Sequence, residues 1–238
     1  MKENLYKYIL SITLVIQVLL IAYLSTYFFS NDKVDNYSEI AITGNKLLPE
    51  EKYLSYLYQK LNENDLSLYT IKSILESHPY IFTADVKKGN NRIDVEISEK
   101  NIYSTIIRNN EAYFISDAFE IIKILPSTIN ISIPLLITRY ENNSSFAVDG
   151  DIKVAFKLID ALKIINQELL SRLIEINLKD EKDIILIFNH LNALVYLKKS
   201  NLVKEILTLS EFLNSYSSSI NNNTKYIDLR FNNQVIVG

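Results

Sequence analysis

The chain opens on an apolar run. From Tyr8 to Asn31 no residue is charged, and between Ile9 and Phe29 only Ser11, Thr13, Gln17, Ser25 and Thr26 interrupt the hydrophobic side chains. That length is close to the ~20 residues a helix needs to cross hydrocarbon about 30 Å thick. Tyr6 and Tyr8 at one end, and Tyr23 and Tyr27 near the other, suit the two interfacial aromatic belts. The run exceeds the ~7–15 apolar residues of a cleaved signal peptide, and no Ala-x-Ala site follows it. A retained span over 9–29 is therefore predicted. Lys2 and Lys7 precede it, whereas Asp32, Lys33 and Asp35 follow, so the positive-inside bias puts residues 1–8 in the cytoplasm and the rest outside.

Beyond the span the pattern shortens. "EIAITGN" alternates and ends in a Gly turn, which predicts a strand through Ile40 and Ile42 with Gly44 free to take positive φ. Pro49 opens a helix on which Tyr53, Leu54, Leu57, Tyr58 and Leu61 recur at helical spacing. A second helix has Ser67 as N-cap, Ile71, Ile74 and Leu75 on one face, and Pro79 as its stop. "IFTADVKKGNNRIDVEIS" reads as a hairpin: Ala84 and Val86 alternate on one arm, Gly89 to Asn91 turn, and Ile93, Val95 and Ile97 alternate on the other. The predicted order is β-α-α-β-β, enough for a three-stranded sheet to cover its apolar face with helices. Its expected core is Ile40, Ile42, Leu57, Leu61, Ile71, Ile74, Leu75, Val86, Ile93 and Val95.

After Lys100 come short strand-like runs at Tyr103 to Ile107, Glu111 to Ile115 and Phe119 to Leu125, then "SIPLLIT" and a polar loop from Glu141 to Asp151. Val154, Leu158, Ile159, Leu162 and Ile165 mark a helix, followed by strands at Leu173 to Leu178, Ile184 to Phe188 and Ala193 to Leu197. A last helix carries Leu202, Val203, Ile206, Leu207 and Leu213, and a polar linker from Ser215 to Lys225 leads into "YIDLRFNNQVIVG", two alternating runs split by Asn232 and Asn233. Strands dominate, so a mainly antiparallel β-domain with helices on one face is predicted. The expected layout is an α+β chain with a tail over 1–8, a span over 9–29, one domain over 35–100 and a second over 101–238.

Composition narrows the function. The 238 residues are 48% hydrophobic and 22% charged, which suits folded domains with real cores. A formal net charge of −3 argues against a sequence-independent nucleic-acid binder, which needs excess Lys and Arg to release phosphate counterions. Cysteine is absent, which excludes disulfides and zinc–thiolate sites. Asn-rich stretches arise readily alongside abundant Ile, Lys and Tyr, and no meaning attaches to them here. Only His78 and His190 are available as histidines, and neither has a partner constellation for nucleophilic or metal chemistry. His78 abuts Pro79 at a helix end, where it reads as structural. Asp180, Glu181 and Asp183 read as a solvated loop. No enzyme, cofactor or metal site is expected.

The layout as a whole resembles the bacterial cell-division family FtsQ/DivIB, in which a short cytoplasmic tail and one span precede a POTRA domain and a β-domain. The segments that carry the resemblance are "ITGNKLLPEE" at Ile42 to Glu51, "SHPYIFTADVKK" at Ser77 to Lys88 with "RIDVEISEK" at Arg92 to Lys100, and "YIDLR" at Tyr226 to Arg230. The chain departs from the family in its turns: Asn101 stands where Pro is usual, Thr138 and Arg139 where a Gly is, and "SDAFE" at Ser116 to Glu120 lacks a Gly often found there.

The resemblance implies a non-enzymatic scaffold in the cell membrane at the division septum. It implies that the β-domain binds FtsB/FtsL-like proteins to control septal peptidoglycan synthesis, and that the POTRA region and span contact other division proteins. In that family the partner adds a strand beside the last β-strand, here Phe231 to Val237, with Phe231, Asn233, Gln234, Val235, Ile236 and Val237 as contact residues. Asp228 and Arg230, two apart on one strand face, suit a fold-stabilising role at least as well. A rival reading is a POTRA-bearing accessory of protein export or outer-membrane assembly, which would also bind extended clients by strand addition.

Overall fold

The computed structural model describes residues 13–24, 39–62, 67–89, 92–139, 150–216, 223–232 and 234–238. The tail over 1–8, both ends of the expected span, residues 35–38, most of the polar loop after 139 and Asn233 lie outside them. Residues 13–24 form a helix, α1, whose side chains are all exposed. Among the described residues no helix is long and apolar enough to cross a membrane. The chain divides into two compact units between Glu99 and Lys100.

The first unit runs β1 (Glu39–Thr43), α2 (Glu50–Lys60), α3 (Leu68–Glu76), β2 (Ile81–Lys88) and β3 (Arg92–Glu99), the expected β-α-α-β-β order. Its sheet has the order β1-β3-β2. Central β3 is parallel to β1 and antiparallel to β2, so the sheet is mixed. Gly44 ends β1 with φ +87, and a Cβ there would sit 2.1 Å from the Ile97 carbonyl oxygen, so only glycine fits. Ser67 caps α3, accepting from the Thr70 N–H.

The core of this unit is built from Ile40, Ile42, Tyr53, Leu57, Ile71, Leu75, Ala84, Ile93, Val95 and Ile97, with Leu47, Leu48, Tyr80 and Ile81 added from loops and strand ends. Leu61, Ile74 and Val86, expected inside, are half-buried because they stand at the rim of the helix faces and near the hairpin tip. Tyr58 is exposed, and its neighbour Tyr56 turns in to meet the ring of His78. The Glu99 carboxylate accepts from the Lys46 and Leu47 N–H groups and from the Tyr53 hydroxyl, tying the turn after β1 to the end of β3. Burial first, and then that carboxylate, push the Tyr53 phenol well above its ordinary range.

The second unit contains β4 (Ile102–Arg108), β5 (Glu111–Ser116), β6 (Ile121–Lys123), β7 (Leu135–Ile137), α4 (Gly150–Ile165), α5 (Gln167–Ser171), β8 (Leu173–Asn177), β9 (Asp183–Phe188), β10 (Leu194–Lys198), α6 (Leu202–Tyr216), β11 (Tyr226–Asp228) and β12 (Ile236–Val237). Its strands make one nine-stranded sheet in the order β12-β11-β10-β9-β8-β7-β4-β5-β6. Burial alternates strictly along β9: Ile184, Leu186 and Phe188 enter one cluster with Ile152, Phe156, Ile159 and Leu162 of α4 and Ile206 and Leu209 of α6. Each such side chain, buried, contributes about 1.5–3 kcal/mol of transfer free energy.

The sheet, expected to be mainly antiparallel, is mixed. Of its eight pairings five are antiparallel and three, β10·β11, β7·β8 and β4·β7, are parallel. For two of these the cause is connectivity: α6 carries the chain from β10 to β11, and α4 with α5 carries it from β7 to β8, and helix crossovers of that length join parallel neighbours. The strand expected from Phe119 to Leu125 is trimmed to Ile121–Lys123, because Phe119 takes φ 63. That is the segment whose missing glycine stood out in the sequence, and the Phe119 ring is held there by stacking on Phe156 at 4.6 Å.

Candidate partner-binding site

The outer margin of the large sheet is built from the C-terminal segment. β11 follows α6 and lies parallel to β10 in the register Leu194↔Tyr226, Val195↔Ile227 and Tyr196↔Asp228. β12 returns antiparallel beside it, Ile227↔Val237 and Asp228↔Ile236. No described strand lies beyond β12.

Hydrogen bonds fix which backbone groups of β12 are free. The Gly238 N–H donates to the Tyr226 carbonyl at 3.2 Å, and the Tyr226 N–H donates to the Gly238 oxygen at 3.0 Å, so 226 and 238 are a bonded pair. Bonded and non-bonded pairs alternate along an antiparallel ladder. Asp228 and Ile236 are therefore bonded as well, whereas Val237 turns its N–H and C=O away from β11, and Val235 shares that parity. On the inner side, Leu194 donates to Lys225 O at 3.0 Å and Leu229 donates to Tyr196 O at 3.0 Å, which leaves Tyr226 and Asp228 facing β12 as required.

Each residue expected at the site has a place. Ile236 and Val237 form β12 and are 37% and 40% exposed. Val235 is half-buried and packs against the core cluster, while Gln234 is exposed. Phe231 is 49% exposed in the turn before the strand. There it borders a small crevice of about 50 Å³ against Lys204, Glu205 and Thr208 of α6. Asn233 lies outside the described residues. Lys204 and Thr208 carried no signal in the sequence, because only the fold brings α6 beside that turn.

Asp228 and Arg230 are structural. The guanidinium forks onto the Asp228 carboxylate, Nε to Oδ1 at 2.9 Å and Nη2 to Oδ2 at 2.6 Å, and its Nη1 reaches Asp183 at the start of β9. Its plane also lies 4.9 Å from the centroid of the Tyr196 ring. One arginine thus staples β11 to β9 across β10. It holds the buried Asp228 carboxyl below the usual carboxylate range, and the two carboxylates raise the guanidinium in turn. Asp183, expected in a solvated loop, is the third member of this cluster. Behind it, Glu205 accepts from the Lys198 N–H at 2.6 Å, and burial pushes its carboxyl up.

Elsewhere the titratable groups are walled in or dispersed. His78 is buried among the rings of Tyr53, Tyr56 and Tyr80, and its Nδ1 accepts from the Tyr80 N–H at 3.1 Å. It is a core histidine. His190 borders a cleft of about 330 Å³ with Asn166, Arg172 and Leu213, and burial and the Arg172 charge lower its pKa. Asp180 folds back on the Lys182 and Asp183 N–H groups. Among the described residues no cluster of three or more His, Cys, Asp or Glu could hold a metal. Compared with known proteins, the chain matches no family model and no curated protein.

Proposed function

We propose that this chain is a non-enzymatic scaffold of bacterial cell division, of the FtsQ/DivIB kind. Its second unit binds an extended segment of an FtsB/FtsL-like protein by strand addition and so controls septal peptidoglycan synthesis. The observation that carries the reading is the outer edge at β12, where Val237 presents an unshared donor and acceptor, with Phe231 exposed in the turn before the strand. An open edge is an aggregation hazard unless something pairs it, and a dedicated partner strand would do so. The β-α-α-β-β order of the first unit supports a POTRA domain that meets other division proteins.

In this reading the apolar run over 9–29 is a single membrane span, with residues 1–8 cytoplasmic and both folded units on the outer side. The exposed leucines, isoleucines and valines of α1 would be costly in water and are at home in lipid. A fluorescent protein fused to the cytoplasmic end tests the function. A band at midcell, with co-purification of an FtsB-like partner after crosslinking in the native host, is the expected result. A uniform envelope signal with captured secretory or outer-membrane clients would instead identify an accessory of export or envelope assembly.

A further inference from the structure

The three-stranded sheet has an edge of its own, and it is partly plugged. β2 has β3 on one side and no described strand on the other. Gly89 donates to the Arg92 carbonyl at 2.8 Å, so the bonded pairs of this hairpin include Lys87·Asp94 and Asp85·Glu96. Lys88·Ile93, Val86·Val95 and Ala84·Ile97 are then the non-bonded ones. The N–H and C=O groups of Ala84, Val86 and Lys88 therefore face outward. One donor is taken. Glu76, the last residue of α3, accepts from the Ala84 N–H at 3.1 Å and from the Thr83 hydroxyl at 3.1 Å through the same oxygen. The Ala84 N–H is the chief cause that lowers the Glu76 carboxyl below its usual range, which keeps this acceptor ionised at neutral pH. Its oxygen stands where the carbonyl of an added strand would stand.

We propose that β2 is a self-association edge for a second copy of this chain, and that Glu76 holds it closed by occupying the Ala84 donor. The strand is complementary to itself in the register centred on Val86. In an antiparallel β2–β2 pair with the two-fold axis at Val86, the two Val86 residues meet and Ala84 meets Lys88 of the second copy. All the outward donors and acceptors of those residues are then satisfied reciprocally. Asp85 falls opposite Lys87 of the second copy on the face away from the helices. These two residues already pair at 2.6 Å within one strand, so two strands would form an alternating four-charge cluster. Shifting the register by one step of the same parity sets Asp85 against Asp85, or Lys87 against Lys87, and like charges directly opposite are destabilising. Ala84 takes part in both terminal bonded pairs, so the Glu76 plug removes a donor at each end.

The absence of cysteine makes the test direct, because a single Val86→Cys change in the full chain can form a disulfide only between copies. Facing residues of an antiparallel bonded pair lie about 5.5 Å apart at Cα, within disulfide range. Under mild oxidation, Val86→Cys alone should stay monomeric on a non-reducing gel. Adding Glu76→Ala should raise the dimer fraction roughly tenfold, the scale of two recovered backbone hydrogen bonds. Glu76→Gln keeps an oxygen acceptor and should remain at the parental level. Lys88→Pro, which deletes an outward donor, should return the Glu76→Ala variant to monomer. Equal dimer yields with and without Glu76→Ala would overturn the proposal. So would a dimer that survives Lys88→Pro, because crosslinking through an unfolded first unit would ignore that donor.

Discussion

Two carboxylates at the margin of the large sheet respond to protons in opposite directions. Asp228 is held down by Arg230, so it contributes stability above its unfolded value of about 3.9 that is lost as pH falls toward the folded value. Glu205 is pushed up by burial, and the nearby charges of Asp183 and Asp228 add to the push. Its folded form binds the proton more tightly than the unfolded chain does. Stability therefore declines as pH rises from about 4.3, where the unfolded carboxyl ionises, until pH passes the folded value. Glu205→Gln keeps an acceptor for Lys198 and removes the charge. Its thermal midpoint should lie above that of the wild type at pH 7 and converge with it near pH 4. A lower midpoint at every pH would mean that the ionised form is needed. Arg230→Ala should be the more severe change, costing about 3 kcal/mol in urea unfolding, because it strands the buried Asp228 and leaves Asp183 unpaired. Arg230→Lys should recover only part of that, since a single ammonium cannot make the two-pronged contact.

Among the elements, the site was half legible. Alternation marked "YIDLR" and "QVIV" as strands, but which face of the last strand is open depends on the bonded pair 226·238, a tertiary fact. With that pair known, proline separates folding from binding. Ile236→Pro removes an N–H that bonds to β11 and should lower the melting temperature of the second unit. Val237→Pro removes an N–H directed away from the sheet, so it should melt like the wild type yet fail to co-purify the partner. Val235→Pro has the same parity as Val237→Pro but also loses packing against the core. Partner binding at wild-type level by Val237→Pro would rule out strand addition here. Other elements show where local pattern suffices. The β2–β3 hairpin was readable because its apolar positions alternate with period two. Asn109 and Asn110 blend into an Asn-rich composition, yet with φ 50 and 61 they form the two-residue turn between β4 and β5, a conformation asparagine tolerates better than most residues. The Arg230–Asp183 contact joins residues 47 apart in sequence, and no local window contains both.

At the scale of the whole molecule, the α+β class and the order of elements followed from periodicity, whereas the strand order did not. Periodicity fixes which residues face a core but leaves open which strands are neighbours. The parallel pairs β7·β8 and β10·β11 were nevertheless implied by the strand–helix–strand order, since each pair is bridged by a helix that has to return the chain in the same direction. Placement relative to a membrane is likewise a property of the whole chain, and it rests on the charge difference across the apolar run over 9–29. Lys2 and Lys7 precede that run, while Asp32, Lys33 and Asp35 follow it. Moving lysine-rich flanks across a bilayer is disfavoured, so residues 1–8 should stay inside and residues after 29 should be exported. Protease added to intact spheroplasts should then digest both folded units and leave a protected fragment of a few kilodaltons that reacts with an N-terminal tag. Lysed spheroplasts should lose the tag as well. Protection of the entire chain in intact cells would place the two units inside, where the β12 edge could not meet a partner in the envelope, and the scaffold reading would fall with the topology.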